Sequence, residues 1–264
     1  MRIVLLTRLN RGLPLLFLEE MQSDSSATLC GVVYERNVPS RGLRFFARKL
    51  IRYCRMGAPL TFILNGLSFL WRSLEFPPAH RQQEPSLRAY CVERGILFLE
   101  VDAINGEQCR KILRDLAPDL MVSAGNRLLK RSVFAIPPLG TINLHTGKVP
   151  DYRGGPPFFW ELYHGEETVG ATVHFVDDGV DTGPIIATGE FPILPGDTVN
   201  SLKERIIPEG ARLLREAIHR LTLQGFSPVF QPACHEPPRR MPSDWQCLRF
   251  FLKRLGRRKK QGRQ

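Results

Sequence analysis

The chain has 264 residues, of which 43% are hydrophobic and 24% are charged; this balance is ordinary for a globular protein and excludes a wholly disordered chain. Its formal net charge is +11, because 37 Lys and Arg residues outnumber 26 Asp and Glu residues. The six cysteines include no C-x-x-C pair, so the sequence predicts no zinc site and no other metal site.

The first half of the chain alternates predicted strands with predicted helices. Apolar and β-branched runs predict strands over 2–7, 28–34, 96–101 and 119–124. Helical spacing predicts helices over 14–21, 86–94 and 106–116. This alternation indicates an α/β fold, with a Rossmann-like, doubly wound and mostly parallel sheet. Because ligands bind at the carboxyl ends of such strands, the residues that follow Ala124 and Gly140 are candidates for a site.

The second half adds antiparallel strands and a closing helix. Two alternating runs between Gly165 and Glu190, separated by an Asp- and Gly-rich turn, predict an antiparallel pair. Residues 199–223 have the apolar spacing of a long helix. We therefore expect one folded domain over 1–228, with a basic, apolar insertion at about 41–80, and an extension over 229–264 that is Pro-rich and then basic. The G-x-G-x-x-G fingerprint is absent after the first strand, which disfavours a dinucleotide enzyme.

The positive charge is concentrated in two segments, residues 41–55 and the tail from Arg249 onward. Such segments attract phosphates, nucleic acid or anionic lipid. The first has the spacing of an ordinary surface helix, which we favour, or of a helix lying on lipid. No nucleic-acid-binding module accompanies the charge, so nucleic acid is the less favoured partner. The tail is either a solubilising end or a second contact to the same surface.

The expected location is the cytoplasm, with free thiols and with peripheral membrane contact through the basic segments left open. Nothing after Met1 resembles a secretory signal. The longest apolar stretch, about 58–71, is too short and too interrupted by polar residues to span a bilayer. Nothing in the sequence indicates the oligomeric state.

Three polar residues in the middle of the chain predict acyl transfer to an amine. Asn143 and His145 are two residues apart at the end of a strand, so they point to the same side. Asp181 lies in the acidic turn before the second antiparallel strand. Asn143 and a protonated His145 are donors suited to the negative oxygen of a tetrahedral intermediate. Asp181 is suited to take the proton of the amine, and we expect its charge to raise the pKa of His145.

Two sequence blocks carry a resemblance to a known family. They are Gly-Thr-Ile-Asn-Leu-His with Val-Pro-Asp-Tyr-Arg-Gly over 140–154, and Gly-Ala-Thr-Val-His-Phe-Val-Asp-Asp-Gly-Val-Asp-Thr-Gly-Pro-Ile-Ile from Gly170. Together they resemble the 10-formyltetrahydrofolate-dependent formyltransferases, a family that includes enzymes for glycinamide ribonucleotide, methionyl-tRNA and amino sugars. The resemblance runs from about residue 115 to 207, and residues 1–228 would be the catalytic domain.

The resemblance implies roles for particular residues. Asn143, His145 and Asp181 match the family's catalytic trio, while Thr172 and His174 match positions near the catalytic water. The formyl donor, 10-formyltetrahydrofolate, would be bound by two stretches: Ala124, Gly125, Asn126, Arg127, Leu128 and Leu129, and Val176, Asp177, Asp178, Gly179 and Val180. Asp177 and Asp178 have an additional interpretation as turn formers. One departure is visible, because residues 146–149 replace the family's usual pattern after the His.

The acceptor is predicted to be a small-molecule amine, phosphorylated or linked to a nucleotide, with an amino-sugar nucleotide favoured. The residues proposed to bind it are Arg153, Gly154, Phe159 and Trp160. Arg153 is equally well interpreted as an anchor of its loop. The aromatic pair is equally well interpreted as part of the hydrophobic core. The alternative acceptors are methionyl-tRNA and glycinamide ribonucleotide. The alternative of another class is a non-catalytic protein that binds folate or docks on membranes. The last of these predicts a damaged trio, whereas the trio is intact.

Overall fold

The structure is a computed structural model, and it describes residues 1–22, 26–36, 85–232 and 236–261. The predicted insertion at about 41–80 therefore lies outside the described residues. The chain divides into two compact units, one made of 1–37 and 85–239 and the other of 38–84 and 240–264. We call them the sheet unit and the basic unit. The domain boundary expected at residue 228 stays a prediction.

One sheet of seven strands organises the sheet unit, in the spatial order β3-β2-β1-β4-β5-β6-β7. The strands are β1 (Arg2–Thr7), β2 (Thr28–Glu35), β3 (Phe98–Val101), β4 (Leu120–Ala124), β5 (Thr141–His145), β6 (Thr168–Phe175) and β7 (Ile185–Pro192). The first five are parallel, while β6 and β7 are antiparallel additions. The predicted Rossmann-like, doubly wound and mostly parallel sheet is confirmed.

The described helices, numbered in chain order, are α1 (Leu13–Gln22), α2 (Leu87–Glu93), α3 (Glu107–Leu116), α4 (Arg131–Phe134), α5 (Phe159–His164), α6 (Val199–Thr222) and α7 (Asp244–Gln261). The closing helix α6 begins at a capping box, in which Thr198 and Ser201 exchange side-chain and backbone hydrogen bonds. The short helices α4 and α5 were not predicted, because four and six residues are too few to show helical periodicity. None of these helices has the length and hydropathy needed to cross a membrane.

The core explains why the central residues of β1, residues 3–6, are all apolar. Ile3 and Leu5 pack into a cluster with α1 and α6, whereas Val4 and Leu6 pack into the cluster on the opposite face with α3. A parallel strand covered on both faces needs apolar residues at every position. This packing fixes the central strands rigidly and brings the carboxyl ends of β4 and β5 side by side, where loops can form a site.

Candidate active site

Strand β5 carries the first two residues of the predicted trio. Asn143 and His145 point to one side of the sheet, and antiparallel pairing sets them opposite His174 and Thr172 of β6. The Asn143 amide nitrogen lies 3.4 Å from Nε2 of His174. His145 is buried, and the Thr172 hydroxyl donates to the Gly147 carbonyl in the next loop. The register of β5 and β6 therefore assembles two imidazoles and one amide donor from three strand positions.

Asp181 reaches this group from the loop between β6 and β7. One carboxylate oxygen, Oδ2, lies 3.2 Å from Nδ1 of His145 and accepts a 2.9 Å hydrogen bond from the Gly154 N–H. The other, Oδ1, lies 3.4 Å from Nε2 of His174. The backbone of Asp181 is left-handed, with φ of +52°, which is uncommon for a residue with a side chain. The loop thus adopts a less favourable backbone conformation to set the carboxylate between the two imidazoles.

Each of the two imidazoles has its other ring nitrogen against a backbone carbonyl. His145 Nε2 lies 2.7 Å from the Tyr152 carbonyl oxygen, and His174 Nδ1 lies 2.7 Å from the Phe175 carbonyl oxygen. The carbonyl oxygens and the Asp181 carboxylate all only accept hydrogen bonds. A neutral ring, which has one N–H, can therefore donate to only one of its two partners and leaves its other nitrogen unprotonated. A proton that enters the cluster can be held between the carboxylate and either ring, which makes the cluster a proton acceptor.

Burial changes the expected protonation of His145. It lowers the pKa of His145, and this effect outweighs the Asp181 charge and the Tyr152 carbonyl, which raise the pKa. The expectation of an imidazolium is therefore corrected, because the net direction is downward and the neutral ring is favoured. Burial alone would raise the pKa of Asp181. A hydrogen bond with His174, the charge that His145 carries when it is protonated and the Gly154 N–H together hold the pKa below its usual value.

These pKa directions give a prediction for the His145 titration. We expect its ring to titrate below the ordinary value of about 6.5, and Asp181→Asn to lower the midpoint further by removing the charge that favours the imidazolium. An NMR titration of the ring C–H signals measures both midpoints, with His145→Gln used for assignment. A wild-type midpoint above the ordinary value, or a rise in the Asp181→Asn variant, would contradict it.

The trio lines a cavity of about 370 Å³, within the size range of small-molecule pockets. Residues 125–129 after β4 form one wall, and residues 176, 177, 179 and 180 form another. The Asn126 amide donates to the Leu6 carbonyl and to the Ser123 hydroxyl, but its buried carbonyl oxygen has no hydrogen-bond partner among the described residues. A buried acceptor without a partner requires an explanation, and a donor on a bound ligand is one that suits its place at the cavity.

Other predicted residues lie away from the cavity wall. Ala124 is fully buried at the end of β4, and Asp178 is exposed, where it pairs with Arg131. Asp177 lines the cavity and also accepts hydrogen bonds from within its own turn, as a turn former does. Among the predicted acceptor residues, Gly154 lines the cavity.

The remaining predicted acceptor residues have structural contacts instead. The Arg153 guanidinium is buried and donates to the Glu236 carbonyl at 2.6 Å, which is the contact of a loop anchor. Phe159 and Trp160 are buried and pack edge-to-face with each other. Neither aromatic ring lines the described cavity, so the geometry favours the core-packing interpretation of this pair.

A segment after α6 holds the site loops, and sequence reasoning missed it. Residues 229–232 and 236–239 form this return segment. The Gln231 side-chain amide donates to the carbonyls of Asp181 and Gly183, at 3.1 and 2.7 Å. Farther along, the Arg239 N–H donates to the Arg153 carbonyl at 2.8 Å. No sequence motif marks these residues, because the contacts join positions far apart in the chain.

The loop where the sequence departs from the family pattern is hydrogen-bonded to residues at and just before the start of β6. Lys148 donates to Glu166 at 3.0 Å and to the Thr168 hydroxyl at 3.2 Å. The Tyr152 hydroxyl also donates to Glu166, at 2.8 Å. These contacts fix the loop that places the Tyr152 carbonyl against His145. The residues that differ from the family pattern therefore help to position the trio.

The fold and the site define an α/β protein with a cavity at its strand ends, where an amide donor lies beside a carboxylate held between two imidazoles. Residues 81–218, more than half of the 264-residue chain, match the formyl transferase family, and the chain belongs to this family. The resemblance stated from the motifs is therefore confirmed.

Relatives with assigned names support the same family. The chain is 34% identical over 140 residues to the methionyl-tRNA formyltransferase of Desulforamulus reducens, covering 53% of this chain and 44% of that protein. It is 40% identical over 118 residues to the methionyl-tRNA formyltransferase of Koribacter versatilis, covering 44% and 38%. The matched part of the chain thus spans less than half the length of each of these relatives.

Solved structures share the fold. A glycinamide ribonucleotide transformylase from Symbiobacterium toebii superposes with a TM-score of 0.59 at 22% identity, covering 88% of this chain and 94% of that one. A sugar N-formyltransferase from Shewanella sp FDAARGOS_354 superposes with a TM-score of 0.57 at 17% identity, covering 90% and 75%. At these identities the likeness concerns the fold and not the acceptor.

Proposed function

We propose that this protein transfers a formyl group from 10-formyltetrahydrofolate to a primary amine. The observation that carries the proposal is the Asp181 carboxylate, held within 3.4 Å of both His145 and His174 at the wall of the cavity. Asn143 lines the same cavity and supplies an amide donor. Burying a carboxylate and two imidazoles costs free energy, and such buried ionisable groups cluster at functional sites. The arrangement therefore favours a catalytic protein over a non-catalytic one.

The two walls of the cavity fit the donor. The Asn126 carbonyl oxygen, which has no hydrogen-bond partner among the described residues, is suited to an N–H of the donor's heterocycle. Residues 125–129 and residues 176, 177, 179 and 180 line the cavity and would contact the donor. The donor supplies the formyl carbon, bound to a nitrogen that can leave. No metal ion is required by this scheme, because the protein's own groups handle the charge and the protons.

The transfer requires one bond to form, one to break and two proton movements. The amine nitrogen attacks the formyl carbon, and the carbonyl oxygen becomes negative. The Asn143 amide donates to this oxygen, a contribution typically worth about 10²–10³ in rate. The amine proton passes to the cluster of Asp181 and the neutral His145. The bond between the formyl carbon and the donor nitrogen then breaks, and the cluster returns the proton to the leaving nitrogen.

The acceptor we propose is a small-molecule amine, with an amino-sugar nucleotide as the leading candidate. Gly154, Thr146 and Pro157 line the cavity near the trio and would contact the acceptor. The burial of Phe159 and Trp160 removes the aromatic-stacking argument for a sugar nucleotide, so the small-molecule size of the cavity, about 370 Å³, is the support that remains for this candidate. Methionyl-tRNA is the second candidate, favoured by the named relatives, and glycinamide ribonucleotide the third.

An acceptor screen tests the proposal. The purified chain is incubated with 10-formyltetrahydrofolate and with separate amines: amino-sugar nucleotides, glycinamide ribonucleotide and charged initiator methionyl-tRNA. We expect absorbance of released tetrahydrofolate and a mass gain of one CO on an amino-sugar nucleotide. If methionyl-tRNA were the only amine formylated, the proposed acceptor would be wrong and the proposed formyl transfer would be supported. No release of tetrahydrofolate with any amine, in a chain that binds the donor, would contradict formyl transfer.

A further inference from the structure

Positive charge is divided unequally between the two units. The basic unit contains 17 of the 37 Lys and Arg residues but only 3 of the 26 Asp and Glu residues, for a net charge of +14. The sheet unit, which carries the candidate active site, has a net charge of −3. The basic excess of this chain is therefore not a property of the fold that holds the trio. The net charge of the basic unit is of the kind that attracts an anionic partner.

Helix α7 of the basic unit exposes a row of large apolar side chains. Trp245, Leu248 and Leu252 are 69%, 47% and 55% exposed. Their spacing of three and four residues sets them on one helical face. Arg249 and Lys253 are exposed on the same helix, and residues 254–260 add five more basic residues and no acidic one. The helix thus combines a tryptophan-containing apolar face with high positive charge.

The sequence of the unit's other segment has the same character. Residues 38–84 contain eight Lys and Arg residues against two acidic ones, together with seven aromatic residues. Their structure lies outside the described residues. Two segments far apart in the chain, both basic and rich in apolar residues, belong to one compact unit.

We propose that α7 docks the basic unit on an anionic lipid bilayer, lying in the plane of the membrane surface. Trp245, Leu248 and Leu252 would enter the boundary between headgroups and acyl chains, while the basic side chains contact lipid phosphates. A helix with one apolar face and this charge suits the membrane surface.

Two other occupants fit the observations less well. A nucleic-acid backbone would match the charge but would leave the three apolar side chains without apolar contacts. A second copy of the helix would bury the apolar face but would bring two units of net charge +14 together. Only an anionic bilayer matches both the charge and the apolar row. The inference does not rest on the proposed reaction, since docking needs neither formyl donor nor acceptor.

Co-sedimentation of the full chain with vesicles tests the proposal. We expect binding to vesicles of phosphatidylcholine mixed with phosphatidylglycerol, little binding to phosphatidylcholine alone, and weaker binding as salt rises. Trp245→Ala with Leu252→Ala should lower the partition coefficient about tenfold or more. Arg249→Gln with Lys253→Gln keeps the apolar face and should lower it about fivefold per residue.

A matched control uses apolar side chains exposed on the sheet unit. Phe230 and Leu194 are 78% and 50% exposed, so Phe230→Ala with Leu194→Ala removes one aromatic and one leucine without touching α7. This variant should sediment as wild type does, and thermal melts should show all variants folded. Unchanged sedimentation in both α7 variants would overturn the proposal. So would binding of tRNA that exceeds vesicle binding, or light scattering that shows α7-dependent dimers in a chain that does not bind vesicles.

Discussion

Replacing Asp181 by Asn is expected to reduce kcat for formyl transfer by about 10²–10⁴-fold, the range that a positioned proton acceptor contributes. Asn keeps the shape of the side chain, and its carbonyl oxygen can still accept the Gly154 N–H, so the loop should stay folded. It cannot take up the amine proton, and it removes the charge that attracts a proton toward His145 and His174. KM for the donor should change little, because Asn126 and the cavity walls are untouched.

The measurement is steady-state release of tetrahydrofolate, with donor binding followed separately by calorimetry. Asp178→Asn is the matched control, since it removes the same charge three residues away. The Asp178 carboxylate is exposed and pairs with Arg131 on the surface, so this variant should keep wild-type kcat. Wild-type kcat in Asp181→Asn would exclude the carboxylate as proton acceptor. Loss of donor binding in the same variant would instead indicate that Asp181 shapes the cavity.

Replacing Gly147 by Ala is expected to lower kcat/KM by about 10²-fold, the loss typical of a misplacement near 1 Å in a catalytic group. A Cβ atom at this position would lie 2.6 Å from Nε2 of His145 and 2.7 Å from the Tyr152 carbonyl oxygen, inside the hydrogen bond that joins them. The loop has little freedom to move away, because the Thr172 hydroxyl holds the Gly147 carbonyl. The ring of His145 must therefore shift relative to Asp181.

Gly155→Ala is the control for this prediction. A Cβ atom there meets no atom of the described residues within 4 Å, so the variant adds the same methyl group in the same region without a clash. Near-wild-type kcat/KM is expected for Gly155→Ala, and thermal melts separate a local effect from unfolding. Equal activity in the two variants would show that His145 tolerates displacement, and would weaken its place in the mechanism. An altered NMR midpoint of His145 in Gly147→Ala would support it.

Several parts of the site follow from local sequence. Asn143 and His145 point to the same side because alternate residues of a strand share a face, whatever the rest of the chain does. The continuous apolar residues of β1 predict a strand covered on both faces, and the structure has that arrangement. The two motif blocks were sufficient to predict the family by resemblance, and that resemblance implied a binding role for residues 125–129, which line the cavity.

Other parts depend on contacts between residues distant in the chain. His174 faces Asn143 because of the register between β5 and β6, and Gln231 reaches the Asp181 carbonyl across fifty positions of sequence. The charge of the neighbouring Asp181 led us to expect a raised pKa for His145, but the effect of burial is larger and lowers it. Burial is a property of the packed chain, and periodicity indicates it only for long elements.

The sequence by itself determined the chemistry offered: an amide, two imidazoles and a carboxylate, in a family that transfers formyl groups, and a second, strongly basic part of the chain. Tertiary structure alone decided which of these groups meet, which are desolvated, and which predicted contacts, such as those of Phe159 and Trp160, are used for packing instead. The physical reason is that residue type and local spacing are written in the chain, whereas distance and solvent exposure exist only once distant segments have packed together.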